Sequence, residues 1–341
     1  MPSLVVIDAG FSSIQGLGRY GSQRYGIAPG GAMDRFSLAE SNALTGQPAG
    51  AAAIEVGPFP ARFRVIGGAV RIALAGADRD VYIDNRSVES GVTLLAHDGE
   101  LISFRGARQG QYTYLSVQGG LRGRGGAQDV SADSDVGVAS NRNSWVFRNE
   151  DRVAVLAATA GQSERQLRIH RRSGSPVRIV LGPQLDYFSD QAVAFFLSRS
   201  WAVSHASNRM AYILEGGRVE FLRGFDIISD GTVTGNIQIS GSGQPIAVLR
   251  DRGTIGGYPK IATIISADIG KFAQTPAGRE IQFEAISVVE AQVLARTFAF
   301  ELSNLKPKVE PMRQPRVASV KELLSNNVAG DACNALEWSV A

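Results

Sequence analysis

With 341 residues, 44% of them hydrophobic and 20% charged, the chain has the make-up of a soluble globular protein long enough for two domains. A net charge of +3 is small for this length, and the arginines (Arg122, Arg124, Arg171 and Arg172 among them) are scattered, with Arg168-Ile-His-Arg-Arg172 the densest group; this argues against nucleic acid binding. No apolar run approaches the ~20 residues of a membrane span, and the single cysteine, Cys333, excludes an intramolecular disulfide and suggests a reducing compartment, with the cytoplasm as the default.

The chain opens on Met1-Pro-Ser-Leu-Val-Val-Ile-Asp8, which reads as a strand and lacks the basic start, long apolar core and cleavage site of a signal peptide. Glycine-laced polar loops follow over 8–21 and 26–34. Residues 34–44 read as a helix, with Asp34 as N-cap and Gly46 just past its end. Short runs with β-branched residues then recur at 62–65, 70–74, 177–181, 218–222, 236–239 and 280–284, bounded by turns for which 39 glycines are available. That spacing predicts a mainly β protein of closed or sandwiched sheets, not alternating β–α units. The polar stretch from Gly161 to Pro176 predicts a boundary between a first domain, 1–168, and a second, 169–305. Two more helices are expected. One spans 189–197 with Ser189 as cap. The other spans 287–302, where Ser287 and Glu290 form a capping box and Val288, Ala291, Leu294, Ala295, Phe298 and Leu302 form a stripe read as core. Residues 306–341 read as an extended linker and a short capped helix opening at Ser319.

The common catalytic signatures are missing. There is no Gly-x-Gly-x-x-Gly in a βαβ setting, no P-loop and no Gly-x-Ser-x-Gly elbow. His97, His170 and His205 have no ligand spacing, so no metal site is expected. The densest chemistry lies in Asp251-Arg-Gly-Thr-Ile-Gly-Gly-Tyr-Pro-Lys260, just after an apolar run. It joins an acid, a phenol and an amine to glycines that let a ligand approach the backbone. Asp251 can act as a base or acceptor and Lys260 as a flexible cation.

At the glycine loops the chain resembles the family of allophanate hydrolase subunit 2 and the C subunit of 5-oxoprolinase, which includes the carboxyltransferase domain of urea carboxylase. Ser13-Ile-Gln with Gly18-Arg19, Gly31-Ala-Met-Asp34, Gly182-Pro-Gln-x-Asp-x-Phe188, Ser207-x-Arg-Met-x-Tyr-x-Leu-Glu-Gly216 and Thr254-x-Gly-Gly-Tyr-Pro-Lys-Ile-Ala262 carry the likeness, in order, over roughly residues 3 to 300. The resemblance implies two tandem cyclophilin-like β-barrel domains, with a few short helices and a site in the cleft between them. It implies a subunit of an ATP-dependent hydrolase that opens 5-oxoproline or a related cyclic or urea-type amide. ATP would be bound by the complex, and the partners would be a paired subunit-1-type protein and a third subunit. Lys260, Tyr258 and Arg209 are then expected as donors to developing negative charge, and Asp251 as base or orienter. Gln15, Arg19, Asp34, Gln184, Asp186, Gln238, Gly256 and Gly257 are expected to bind substrate.

Two segments depart from the family pattern. Gly16 stands where the family has Asp, and Gln128-Asp-Val-Ser-Ala-Asp-Ser-Asp135 stands where an arginine-hydroxyl cluster is usual. Two further readings follow. One is a biotin-dependent carboxyltransferase whose biotin rides on a separate subunit, because this chain has no Met-Lys-Met site. The other is a non-catalytic regulator that sequesters a paired subunit.

Overall fold

The computed structural model describes residues 1–122, 145–159, 162–168, 174 and 176–312. The altered acidic segment 128–135, the expected helix after Ser319, His170 and Cys333 lie outside these residues.

Two curled, nearly closed, barrel-like sheets form the framework of the described residues. The first draws on residues 3–155 and is antiparallel throughout, running 145–146, 12–15, 53–56, 101–117, 61–66, 3–8, 152–155 and 121–122 from edge to edge. Strand Val70–Ile83 pairs along the length of Leu101–Val117, with register shifts between Gly76 and Val81. Such bulges add twist and bend a long ribbon, here toward closure. Alternation sorts the faces: in Ala61–Ile66, Ala61, Phe63 and Val65 point inward while Arg62 and Arg64 face water. Phe63 meets Phe104 and Phe147 edge-on inside this core, at centroid distances of 5.9 and 6.1 Å.

The second sheet draws on residues 177–285, with strands in the order 280–281, 201–203, 211–215, 245–248, 236–239, 260–264, 177–181 and 283–285. Only its last pair, Val177–Leu181 with Phe283–Ala285, is parallel. Helix α2 (Asp190–Ser198) is capped by Ser189 as expected, and it lays Phe196 against Trp201 and, stacked at 5.1 Å, against Phe283. The predicted strand at 218–222 does not form. Its N–H groups go singly to loop carbonyls, Val219 to Gly243 and Leu222 to Tyr187, so no ladder neighbour is available to it.

Helix α1 (Arg35–Leu44) begins at Asp34, whose side chain accepts from the Phe36 and Ser37 N–H groups, and it is buried along nearly its whole length. A short helix, α3 (Ile269–Ala273), presses on that cap; a Cβ on Gly270 would lie 2.6 Å from Asp34 Oδ1, so glycine lets the two lobes close here. Helix α4 (Val288–Ser303) carries the predicted capping box. Its apolar stripe, however, is not core, since no residue of α4 is fully buried. The physical reason is that α4 lies across both lobes. Phe298 and Leu302 pack on the first lobe, Phe298 at 6.0 Å from Phe36, while Ala291 and Ala295 border a cavity between the lobes, together with Val180 and Ile264 of the second. The linker reading of the following residues also changes: Lys306–Lys308 forms a 3-10 turn, and Glu310–Pro311 pairs with Arg165–Gln166.

Candidate functional site

The predicted site residues fall into two groups. The first is a buried ionic seam between the lobes. Arg209 sits at the end of the loop leading into strand Ala211–Glu215, and its side chain grips Asp251 through Nε (2.8 Å) and Nη2 (3.1 Å). It also donates to Gly31 O at 2.9 Å and to the Glu55 carboxylate, both in the first lobe. Glu55, 1% exposed, accepts in addition from Met33 N–H (2.8 Å) and Tyr114 Oη (2.7 Å). Tyr114 Oη in turn accepts from Asp34 N–H (2.8 Å), and Asp34 accepts from Gln274 Nε2 of the second lobe at 3.1 Å. Burial acts to lower the Arg209 pKa, but Glu55 and Asp251 outweigh it and the net shift is upward. Burial, and then the Glu55 charge, pushes the Tyr114 and Tyr112 phenols up, so both stay neutral, and Tyr114 donates to Glu55. Asp251 is thus bound at both oxygens, which suits holding Arg209 in place and leaves little freedom for proton abstraction.

The second group gathers around Lys260, the first residue of strand Lys260–Ile264. Its side chain is 2% exposed, and Nζ is held 2.8 Å from the carboxylate of Asp230, which is 56% exposed. Lys260 holds Asp230 below the usual carboxylate range, helped by the Gly231 N–H. An ammonium has three donors; Asp230 takes one, and among the described residues nothing takes the other two. Gln238 is the cross-strand partner of Lys260, its Nε2 is buried, and among the described residues no acceptor meets it. The Gln184 side chain accepts from the Lys260 main-chain N–H at 3.2 Å.

Glycines make this packing possible. A Cβ on Gly256 would lie 2.4 Å from Gln238 Nε2, and one on Gly182 would lie 2.1 Å from the Lys260 carbonyl oxygen. Gly257 O accepts from Ile227 N–H, and Tyr258 stands at the rim, 39% exposed. Asp186 lies outside this group in an exposed ion pair with Arg223, a type that contributes little.

Gln15 and Arg19 belong to the first lobe. Gln15 is buried and donates to Ser13 Oγ at 2.9 Å, while Arg19 N–H donates to Pro29 O, across a crossing where Gly18 and Gly31 touch backbone to backbone. No hydrogen bond or ion pair joins Lys260 to Asp251, Arg209, Asp34 or Gln15 among the described residues. Reasoning from sequence missed Glu55, Tyr114, Gln274 and Asp230. Glu55 left a signal as the lone acid in the apolar run Ala53-Ile-Glu-Val56, since a carboxylate buried in a strand needs a partner. Among the described residues no group of three or more His, Cys, Asp or Glu side chains could hold a metal ion. None of the helices described is long and apolar enough to cross a membrane.

Two barrel-like lobes, joined by an ionic seam and carrying a lysine-centred group on the second, define a two-lobed, mainly β protein. Residues 25–285 match the family described as carboxyltransferase domain, subdomain A and B, and the chain belongs to that family. It is homologous to the C subunit of 5-oxoprolinase. The Escherichia coli (strain K12) form of that subunit is 31% identical over 291 residues, covering 84% of this chain and 93% of that one. The Haemophilus influenzae form is 29% identical over 318 residues, covering 88% and 96%. In fold the chain is similar to the Kluyveromyces lactis urea carboxylase, with a TM-score of 0.74 at 19% identity over 92% of this chain, which spans 30% of the length of that structure.

Proposed function

We propose that this protein works as one subunit of a multi-subunit, ATP-dependent hydrolase that opens 5-oxoproline or a related cyclic or urea-type amide. The observation that carries this reading is the Lys260 ammonium, buried and aimed by Asp230 with two donors unspent, in a chain that matches the C subunit of 5-oxoprolinase over most of its length. An amide resists attack because its nitrogen feeds electron density to the carbonyl. Donors fixed in advance where the oxygen gains negative charge lower that barrier most when water is excluded. Lys260 Nζ and Gln238 Nε2 supply such donors from adjacent strands. Asp230 orients the ammonium, Gln184 fixes the Lys260 backbone, and Tyr258 offers a hydroxyl at the rim. Arg209, Asp251 and Asp34 act one step back by keeping the lobes in register.

In this reading ATP is bound by the assembled complex, in the cytoplasm, together with a paired subunit-1-type protein and a third subunit. Co-expressing the chain with those subunits and following ATP-dependent 5-oxoproline hydrolysis tests it. Turnover is expected only when this chain is present; equal turnover by the partners alone would overturn the reading.

The family match also favours a second reading, a carboxyltransferase component served by biotin on a separate subunit. A streptavidin blot of the co-purified complex distinguishes the two. A tight complex that turns over neither lactam nor amide would point instead to a regulator that sequesters its partner.

A further inference from the structure

A cavity of about 580 Å³ lies between the lobes and takes in neither Lys260 nor Asp251. Its walls come from both lobes: Arg35 in the first turn of α1, Arg250 and Arg252 on either side of Asp251, the Thr263–Ile265 end of a strand, and the first half of α4. Three arginines line it, and among the described residues no Asp or Glu does. Arg250 and Arg252 are 6% and 3% exposed. The Arg250 guanidinium makes no hydrogen bond or ion pair among the described residues, and Nε of all three arginines is buried without an acceptor. Arg35 donates to Leu17 O at 3.1 Å and lies 5.2 Å over the Tyr20 ring. Arg252 spends one nitrogen on Thr232 Oγ1 (3.0 Å) and Gly253 O (3.1 Å).

The nearby acids are already committed, Glu55 and Asp251 to Arg209, and Asp34 to the cap of α1. Burial pulls all three guanidiniums below the ordinary arginine range, at Arg250 against the opposing pull of Tyr114, Glu55 and Asp34, and the charge of Arg250 adds to the effect on Arg35 and Arg252. Buried charge without a partner is costly. Buried arginines outside the cavity are held at their guanidinium ends, Arg209 by two carboxylates and Arg79 by the carbonyls of Gly57 and Gln111. The rest of the lining is apolar, with Ile265, Ile269, Val288 and Ala295 around the arginines.

We propose that this cavity binds a small-molecule oxyanion, a phosphate ester or a carboxylate carried on a partly apolar body, with the anion between Arg35, Arg250 and Arg252. Guanidinium is suited to this, because its forked donors match both groups. Because the arginines come from both lobes, the ligand ties the lobes together. The site shares no residue with the Lys260 group, so it stands or falls separately from the hydrolase reading.

The test is calorimetric titration and thermal melting of the full chain with three probes at matched ionic strength: inorganic pyrophosphate, magnesium-free ATP and 5-oxoproline. At least one is expected to bind and to raise the melting temperature. A response to pyrophosphate or ATP that Arg250→Met weakens identifies a phosphate site, and a response to 5-oxoproline alone that Arg250→Met weakens and Lys260→Met leaves unchanged identifies a carboxylate site. Arg250→Met and, separately, Arg35→Met should each weaken binding by about tenfold or more, the loss of a charge-assisted hydrogen bond. The ligand-free melting temperature of Arg250→Met should stay level or rise, since an unpaired buried cation has gone. Failure of all three probes to bind, undiminished binding in both variants, or a lower ligand-free melting temperature in Arg250→Met would overturn the proposal.

Discussion

Lys260 and Arg209 are both buried cations with carboxylate partners, yet they do different work. Arg209 is saturated by Glu55, Asp251 and Gly31 O, while Lys260 holds donors in reserve. Removing one partner of a saturated buried pair strands the other. Glu55→Ala, which also deprives Met33 N–H and Tyr114 Oη, should therefore cost about 3–5 kcal/mol in urea unfolding. At Asp230 the effect should be on pH dependence. Its folded pKa is lowered first by Lys260, so its contribution is present above the unfolded value of about 3.9 and is lost as pH falls through the lower folded value. Asp230→Asn should flatten the fall in melting temperature over that acid range; an unchanged profile would show that the pair carries no linkage. At this scale the sequence made the motif residues visible and hid their partners. Lys260, Gln184 and Gln238 stand in glycine-rich motifs, but Asp230 lies 30 positions from Lys260 and Glu55 lies 154 from Arg209, and only the fold brings them together.

Among elements, those signalled by neighbouring residues were legible. The caps Asp34, Ser189 and Ser287 mark three helix starts because each side chain bonds to backbone within three positions. The five-residue α3 has no side-chain cap bond and gave no such signal. Burial of α4 was misread because helical periodicity reports which residues share a face, not how much covers them. Ser287→Ala should cost about 1 kcal/mol, seen as faster amide exchange in the first turn of α4. Gly182→Ala should do more. Its Cβ would meet backbone, not a flexible side-chain tip, so melting should show a loss of about 1–3 kcal/mol, and Lys260 and Gln184 should move apart.

For the whole molecule, strand spacing and glycine turns foretold a mainly β protein, and the two sheets fall on either side of the polar stretch near residue 168. The way the lobes meet was beyond reach, because the seam is built from single contacts between residues far apart in sequence, and α4 with Glu310–Pro311 returns to the first lobe. The expected single cleft is instead an ionic seam, an arginine-lined cavity beside it, and a lysine group on the second lobe. The proposed hydrolase chemistry belongs to the last of these, and Lys260→Met in the co-expressed complex probes that proposal head-on. Methionine fills the same space without the charge, and the half-exposed Asp230 can turn to water, so fold and assembly should survive. ATP-dependent 5-oxoproline turnover should fall by about a hundredfold or more, the usual loss when a donor to developing charge is removed. An intact complex that turns over at the wild-type rate would show that the chemistry lies elsewhere.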